Sequence, residues 1–321
     1  MSDVKEKKEI ERKLQAAVDS AKAAVGVPGD LVAVPLVDLE VTSLRGEFWR
    51  RLRRNKLAMA GLLILSIIVL SAIFADIIAT QPYGQVTIFE EVRQPPSAKH
   101  WMGTDLQGRD LYSRIVHGAR FSLIVGFSVV AISLAIGVTI GGLAGYFGGV
   151  VDAVLSRLMD IWLAFPFLVG AIILIVALGG GRTALIAAIA VFGWVTIARL
   201  FRGSVIAIRN AEYVEAARAL GAGDARILVR HILPNAITPT LVYAFALTGT
   251  TIISEAALSF LGYGVQEPIA SWGLMIAYGS QQLLANQLHL IFFPSLALTL
   301  TVLGFILLGD GLRDSLDPRL R

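Results

Sequence analysis

The sequence has no cysteine, only 16% charged residues and, in 321 residues, seven lysines. The first absence excludes disulfide frameworks, thiolate metal sites, CxxC redox motifs and a cysteine nucleophile. The second separates the chain from soluble domains, which carry about 25% charged residues. The third is positional: Lys5, Lys7, Lys8, Lys13, Lys22, Lys56 and Lys99 all precede residue 100, and none follows a glycine. A P-loop needs Gly-Lys-Ser/Thr so that the ammonium reaches the β- and γ-phosphates. The chain therefore cannot hold ATP by that device, and a partner must supply any ATP that powers it. His100, His117, His231 and His289 are far apart, with no HExxH spacing, and no GxSxG occurs. Neither a bound metal nor catalysis by this chain is expected.

What is present is apolar length. Hydrophobic residues make up 55% of the chain and the mean hydropathy is +0.70. A helix across the bilayer core needs about 20 apolar residues, and six runs qualify: about 57–79, 121–146, 158–178, 184–200, 236–258 and 288–309. Backbone in lipid must satisfy its own hydrogen bonds, so these runs are read as helices. Pro166 falls inside the third, where a kink is expected. The third and fourth meet at Gly179-Gly180-Gly181, a tight turn.

Residues 1–44 differ from the rest. Ile10, Leu14, Val18, Ala21 and Val25 recur every three or four positions, which predicts an amphipathic helix followed by a loop with Pro28, Gly29 and Pro35. Six basic and five acidic residues between Asp3 and Lys22 argue against a polybasic lipid patch. The tail is read either as a solvated helix or as a docking element. With the N-terminus inside, the cytoplasmic flanks hold sixteen Lys/Arg against six on the other side. The positive-inside rule then places both termini in the cytoplasm.

Gly137, Gly141, Gly145 and Gly149 recur every four residues in the second run, which predicts a close helix–helix packing face. Asp152, Arg157 and Asp160 are expected to form an ion-pair staple at the second–third turn. Asp105 and Asp110 are expected to offset Arg109, Arg114 and Arg120. Glu255, an acid in the fifth run, carries a desolvation cost that makes it a functional candidate. It either lines a pathway, holds a gate loop near Trp272, or bonds backbone amides at its helix end.

Between the fourth and fifth runs, residues 199–235 include Glu212-Tyr-Val-Glu-Ala-Ala-Arg-Ala-Leu-Gly221 and Ala-Gly-Asp-Ala-Arg-Ile-Leu-Val-Arg-His-Ile-Leu-Pro234. The first half is helix-forming, and Gly221 and Gly223 break it. Asp224 suits an N-cap, and Pro234 sits where the chain turns into the fifth run. The reading is a helix–turn–helix outside the membrane, with a weak Glu215–Arg218 pair and a soluble partner or plain solvation to explain it.

Glu215-Ala216-Ala217, Gly221, Ala222, Gly223, Asp224, His231, Leu233 and Pro234 stand in a pattern that resembles the EAA loop of binding-protein-dependent ABC importers. His231 departs from the general pattern, but His-x-Leu-Pro-Asn is similar to the dipeptide and oligopeptide permease branch. Gly103-Thr104-Asp105-x-x-Gly108-Arg109-Asp110, Arg157-Leu-Met-Asp160, Glu255-Ala-Ala-Leu-Ser-Phe-Leu-Gly262 and Gly309-Asp-Gly-Leu-Arg-Asp-Ser-Leu-Asp-Pro-Arg resemble the same branch, in order, over residues 45–321. The resemblance implies an all-α type I ABC importer permease fold and a C-type subunit of a peptide importer in a prokaryotic inner membrane. It also implies a second homologous permease, two cytoplasmic ATPases binding ATP and Mg, an extracytoplasmic peptide-binding protein and no nucleic acid. Nickel or glutathione is the alternative cargo within this branch. An ion-coupled secondary transporter or channel is the alternative of another class, and it would leave the loop idle.

Overall fold

The computed structural model describes residues 44–82, 91–282 and 287–316. The tail helix expected within 1–44 lies outside them, as does the final Asp-Pro-Arg of the last motif. The described residues are helical apart from loops and an isolated antiparallel bridge between Thr104 and Asp110. In chain order the helices are α1 (Leu44–Arg54), α2 (Lys56–Ile73), α3 (Ala75–Ile78), α4 (Leu111–Phe147), α5 (Gly149–Ala164), α6 (Phe167–Ala177) and α7 (Gly181–Ile208). They continue with α8 (Glu212–Ala219), α9 (Asp224–Phe260), α10 (Trp272–Ser280) and α11 (His289–Leu316).

Helices α2, α4, α7, α9 and α11 are long and apolar enough to cross a membrane. The third run is not the kinked helix expected over 158–178. It is the pair α5 and α6, bent by 90°. Pro166 has no N–H to continue α5, and it holds Phe165 in an extended conformation. The chain therefore restarts there as a new helix.

Local chemistry sets the ends. Asn55 caps α2, its side chain accepting from the Ala58 N–H at 3.1 Å. Asp110 caps α4, accepting from the Ser113 N–H at 2.9 Å. Gly148, at φ +65°, ends α4 because a left-handed backbone there suits only glycine.

The bundle is held by close approach of small residues, as membrane helices are when hydrophobicity cannot discriminate between neighbours. A Cβ placed on Gly137, Gly141 or Gly145 of α4 would lie 2.8, 2.3 and 2.8 Å from the carbonyls of Trp194, Ala198 and Arg202 on α7. Glycines every four residues thus face carbonyls every four residues. Gly149 is not on this face, a correction to the four-glycine stripe. It follows the Gly148 turn, has φ +51° and would meet nothing within 4 Å. A second close seam joins α2 to α11, where Gly61 abuts the backbone of Gly304 and Leu308, and Gly311 abuts Ala58.

Candidate functional site

At one end of the bundle, α7 runs through to Ile208 and α9 already begins at Asp224. The projecting loop is therefore shorter than 199–235: it comprises Arg209–Gly223, with α8 at its centre. Val214 and Ala217 are the buried face of α8. Val214 belongs to a cluster with Tyr146, Phe201, Val205, Ile227 and Ile232, drawn from α4, α7 and α9. Glu215 and Ala216 lie on its exposed face. The helix stops in a Schellman arrangement: the Gly221 N–H donates to the Arg218 carbonyl at 3.0 Å and the Ala222 N–H to the Ala217 carbonyl at 3.1 Å. Gly221 has φ +82° and open space around it. Directly before it, Leu220 is 88% exposed, an apolar side chain held out by the turn.

The second half differs from the sequence reading in three respects. Gly223, not Asp224, is the N-cap, and its carbonyl accepts from the Ile227 N–H at 3.0 Å. Asp224 lies inside the first turn, where its Oδ1 accepts from the Tyr146 hydroxyl at 2.6 Å. Pro234 does not open a new helix. Residues Ile227–Ile232 form a π-helical turn and the helix continues through Leu233 and Pro234, the wider turn accommodating the missing proline N–H. His231 is half-buried, and its carbonyl accepts from Asn235 Nδ2 at 2.7 Å. The Glu215–Arg218 pair does not form; Arg218 lies beside the Tyr146 hydroxyl instead.

Beside this loop, arginines of α7 tie that helix to α5, and Arg209 of the loop itself reaches α4. Arg202 grips Asp152 through Nε at 2.5 Å and Nη2 at 2.7 Å, and Arg199 reaches Asp160 at 2.5 Å. Arg209 donates to the Gly145 carbonyl at 2.9 Å. The expected staple at the second–third turn thus uses arginines of α7 rather than Arg157: Asp152 and Arg157, five residues apart on α5, lie on different faces, and Asp160 pairs with Arg199.

At the opposite end, Glu255 is fully buried. Its Oε1 accepts from Ser259 at 2.7 Å and Ser271 at 2.8 Å, and its Oε2 from Ser122 at 3.2 Å. Its partners are hydroxyls from α4, α9 and the α9–α10 loop, not the backbone amides of a helix end. Trp272 is buried beside it and donates Nε1–H to the Ile115 carbonyl at 3.0 Å, its ring lying against Gly118. Glu267, which sequence reasoning did not single out, receives Arg109 through two bonds of 2.5 and 2.9 Å and Arg114 at 3.1 Å. Burial would raise the Glu267 carboxyl, but the Arg109 bonds and the charges of Arg114 and Arg109 hold it below the ordinary 4.5. Asp105 shares Arg109 with Glu267. Asp110 instead caps α4 and meets His100 Nδ1 at 2.9 Å. Arg120 pairs with Asp76 at 3.0 Å. A cavity of about 130 Å³ lies beside Asp105, Arg109, Arg114 and Glu267, walled also by Met275, Tyr278 and Leu290.

Two stretches of the chain match family models. Residues 43–96 match the N-terminal TM domain of oligopeptide transport permease C. The dipeptide transport system permease protein of Bacillus subtilis is 42% identical over 85% of this chain and 85% of its own length. The oligopeptide transport system permease protein of the same organism is 43% identical over 84% and 88%. The glutathione transport system permease protein of Pectobacterium atrosepticum is 40% identical over 91% and 97%. Among solved structures, the inward-facing MetNI methionine ABC transporter superposes with a TM-score of 0.52 at 22% identity, over 64% of this chain and 97% of that one. Residues 137–321, which contain α8 and its turn, match the model of the binding-protein-dependent transport system inner membrane component, and the chain belongs to that family.

Proposed function

We propose that this chain is the transmembrane permease subunit of an ATP-driven peptide importer. The α8 loop is the part that meets the ATPase. The observation that carries this is Leu220, 88% exposed at the tip of a helix whose other face is anchored in α4, α7 and α9. Tyr213, seven residues earlier on the same side of the helix, is 44% exposed, and the two together offer an apolar patch that suits a partner's groove. In this reading the loop end faces the cytoplasm of a prokaryote, both termini lie on that side, and the long helices cross the inner membrane. The chain works with a second homologous permease, two ATPases that bind ATP and Mg and perform the hydrolysis, and an extracytoplasmic peptide-binding protein.

ATP-driven closure of the ATPases draws the coupling loops together, and the bundle alternates its access. Relatives named for dipeptides and oligopeptides support peptide cargo, and relatives named for glutathione favour a second reading, in which the cargo is that tripeptide. Uptake of dipeptides, oligopeptides and glutathione with the cognate binding protein decides between them. The coupling assignment is tested by Gly221→Trp. A side chain at φ +82° is strained by roughly 1–2 kcal/mol, and a bulky one also covers the contact surface. ATP-driven uptake should be lost while the protein stays folded in the membrane. Replacing residues 212–234 should release a co-purifying ATPase. Unimpaired uptake by Gly221→Trp would sink the assignment.

A further inference from the structure

We propose that Tyr146 is a positioning residue for coupling, and that its hydroxyl delivers motion of the α8 loop to α4. This rests on the reading of α8 as the ATPase contact. Tyr146 is in the last turn of α4, outside the loop and outside its motif. It is buried, with its ring in the cluster that supports Val214 of α8. Its hydroxyl donates to Asp224 Oδ1 at 2.6 Å, and Arg218 of α8 lies beside the same oxygen. One phenol therefore touches the helices on both sides of the Leu220–Gly223 turn. A bond to a carboxylate is stronger than a neutral one, and a buried, planar ring cannot swing away as a lysine would.

The far end of the same two helices is joined as well. Ser122 of α4 bonds Glu255 of α9, which also holds Ser271 at the foot of α10. The Ile115 carbonyl of α4 takes the Trp272 indole, and Arg114 of α4 takes Glu267 of the α9–α10 loop. Helices α4 and α9 are thus two rails with polar rungs at both ends. Along α4 the rungs at Ser122 and Tyr146 are about 36 Å apart at 1.5 Å per residue, somewhat more than a bilayer core of about 30 Å. A push on α8 cannot move α9 alone: it enters α4 through Tyr146 and emerges at the segment held by Glu255, Trp272 and Glu267.

The test uses the assembled transporter in proteoliposomes with its binding protein, comparing uptake with ATP hydrolysis. Tyr146→Phe keeps the ring and removes only the hydroxyl. Asp224→Ala, at an exposed position, removes the acceptor without touching the core. Asp224→Asn keeps an acceptor oxygen. We expect Tyr146→Phe and Asp224→Ala each to lower uptake per ATP by at least about fivefold, the low end of ordinary coupling, with the ATPase remaining bound in Tyr146→Phe. The double variant should be no worse than either single one, and Asp224→Asn should restore most of the ratio. An unchanged ratio in Tyr146→Phe would overturn the proposal. So would loss of the ATPase from Tyr146→Phe, which would make the residue a plain structural support. Failure of the wild-type chain to bind an ATPase at all would instead remove the underlying reading, and co-purification reads that separately.

Discussion

Gly141 is the tightest point of the α4–α7 seam, and Gly141→Ala measures what that seam contributes. The added Cβ would sit 2.3 Å from the Ala198 carbonyl oxygen and 3.0 Å from two more backbone atoms of α7. Backbone cannot rotate out of the way as a side chain can. Ordinary contact begins at 3.4 Å, so the helices must part by about 1 Å, a gap that forfeits a quarter to a half of each dispersion contact it opens. Overpacking of this kind costs about 1–3 kcal/mol, and the better helix propensity of alanine returns at most about 1 kcal/mol. The sign is therefore destabilising. Two other glycines calibrate it. At Gly142 a Cβ meets only the Phe201 ring edge, at 3.2 Å, and at Gly203 of α7 it meets nothing within 4 Å. Reversible unfolding of the purified protein in detergent should rank Gly203→Ala at or above wild type, Gly142→Ala close to it, and Gly141→Ala clearly below both. If Gly141→Ala unfolds together with Gly203→Ala, the glycine–carbonyl register does not hold the helices and the packing argument fails.

Glu267 gives a pH dependence with a definite sign. Its carboxyl lies below 4.5 in the fold, so its contribution is complete above about that pH and disappears as the pH falls through the depressed value. Hydrogen-exchange protection of the segment after Gly262, taken relative to the intrinsic rate at each pH, should fall on acidification, and Glu267→Gln should flatten that fall. An identical acid profile in the variant would assign it to another group. Glu255→Ala leaves the hydroxyls of Ser122, Ser259 and Ser271 without their common acceptor. At about 1–3 kcal/mol for an unsatisfied buried group, the loss should appear as a lower thermal midpoint, whereas Glu255→Gln should keep most of it. Leu220→Asp, at a position 88% exposed, should leave the melting curve unchanged while weakening ATPase capture by tenfold or more, since an anchor residue contributes about 2 kcal/mol. A lowered melt with intact capture would contradict the assignment of Leu220 as an anchor.

The membrane architecture was legible because hydropathy is a one-dimensional quantity that the bilayer reads directly. The glycine repeat was legible for a similar reason: a spacing of four residues puts Gly137, Gly141 and Gly145 on one face of any α-helix. What the repeat could not show was where the helix stops. Gly149 fits the spacing as well as Gly145, but Gly148 takes a positive φ and turns the chain first. Pro166 was visible as a disturbance, yet a 90° break and a gentle kink start from the same proline, and tertiary packing selects between them. Charge pairs were the least legible. Asp152 finds Arg202 fifty residues away and Glu267 finds Arg109 at a separation of 158, distances at which no local rule applies.

The α8 loop shows why a motif can be recognised while its structure is misread. Hydropathy reports where lipid ends, and the reading of 199–235 as loop took that boundary for the end of the helices. Helix α9 has 37 residues, about 55 Å at 1.5 Å per residue, while the apolar core is about 30 Å thick. The surplus extends into water, where Asp224, Arg226 and Arg230 are no obstacle to helix and Ile227 and Ile232 pack on α8. Asp224 has the composition of a cap, but the extended residue that opens the helix is Gly223, one position earlier, and Asp224 lies within the first turn with its carboxylate on the Tyr146 hydroxyl. The same displacement gives the loop its mechanical character. For the coupling proposed above, a flexible tether between Arg199 and Asn235 would absorb movement, whereas a short turn between two helices, bonded to a third, is suited to transmit it.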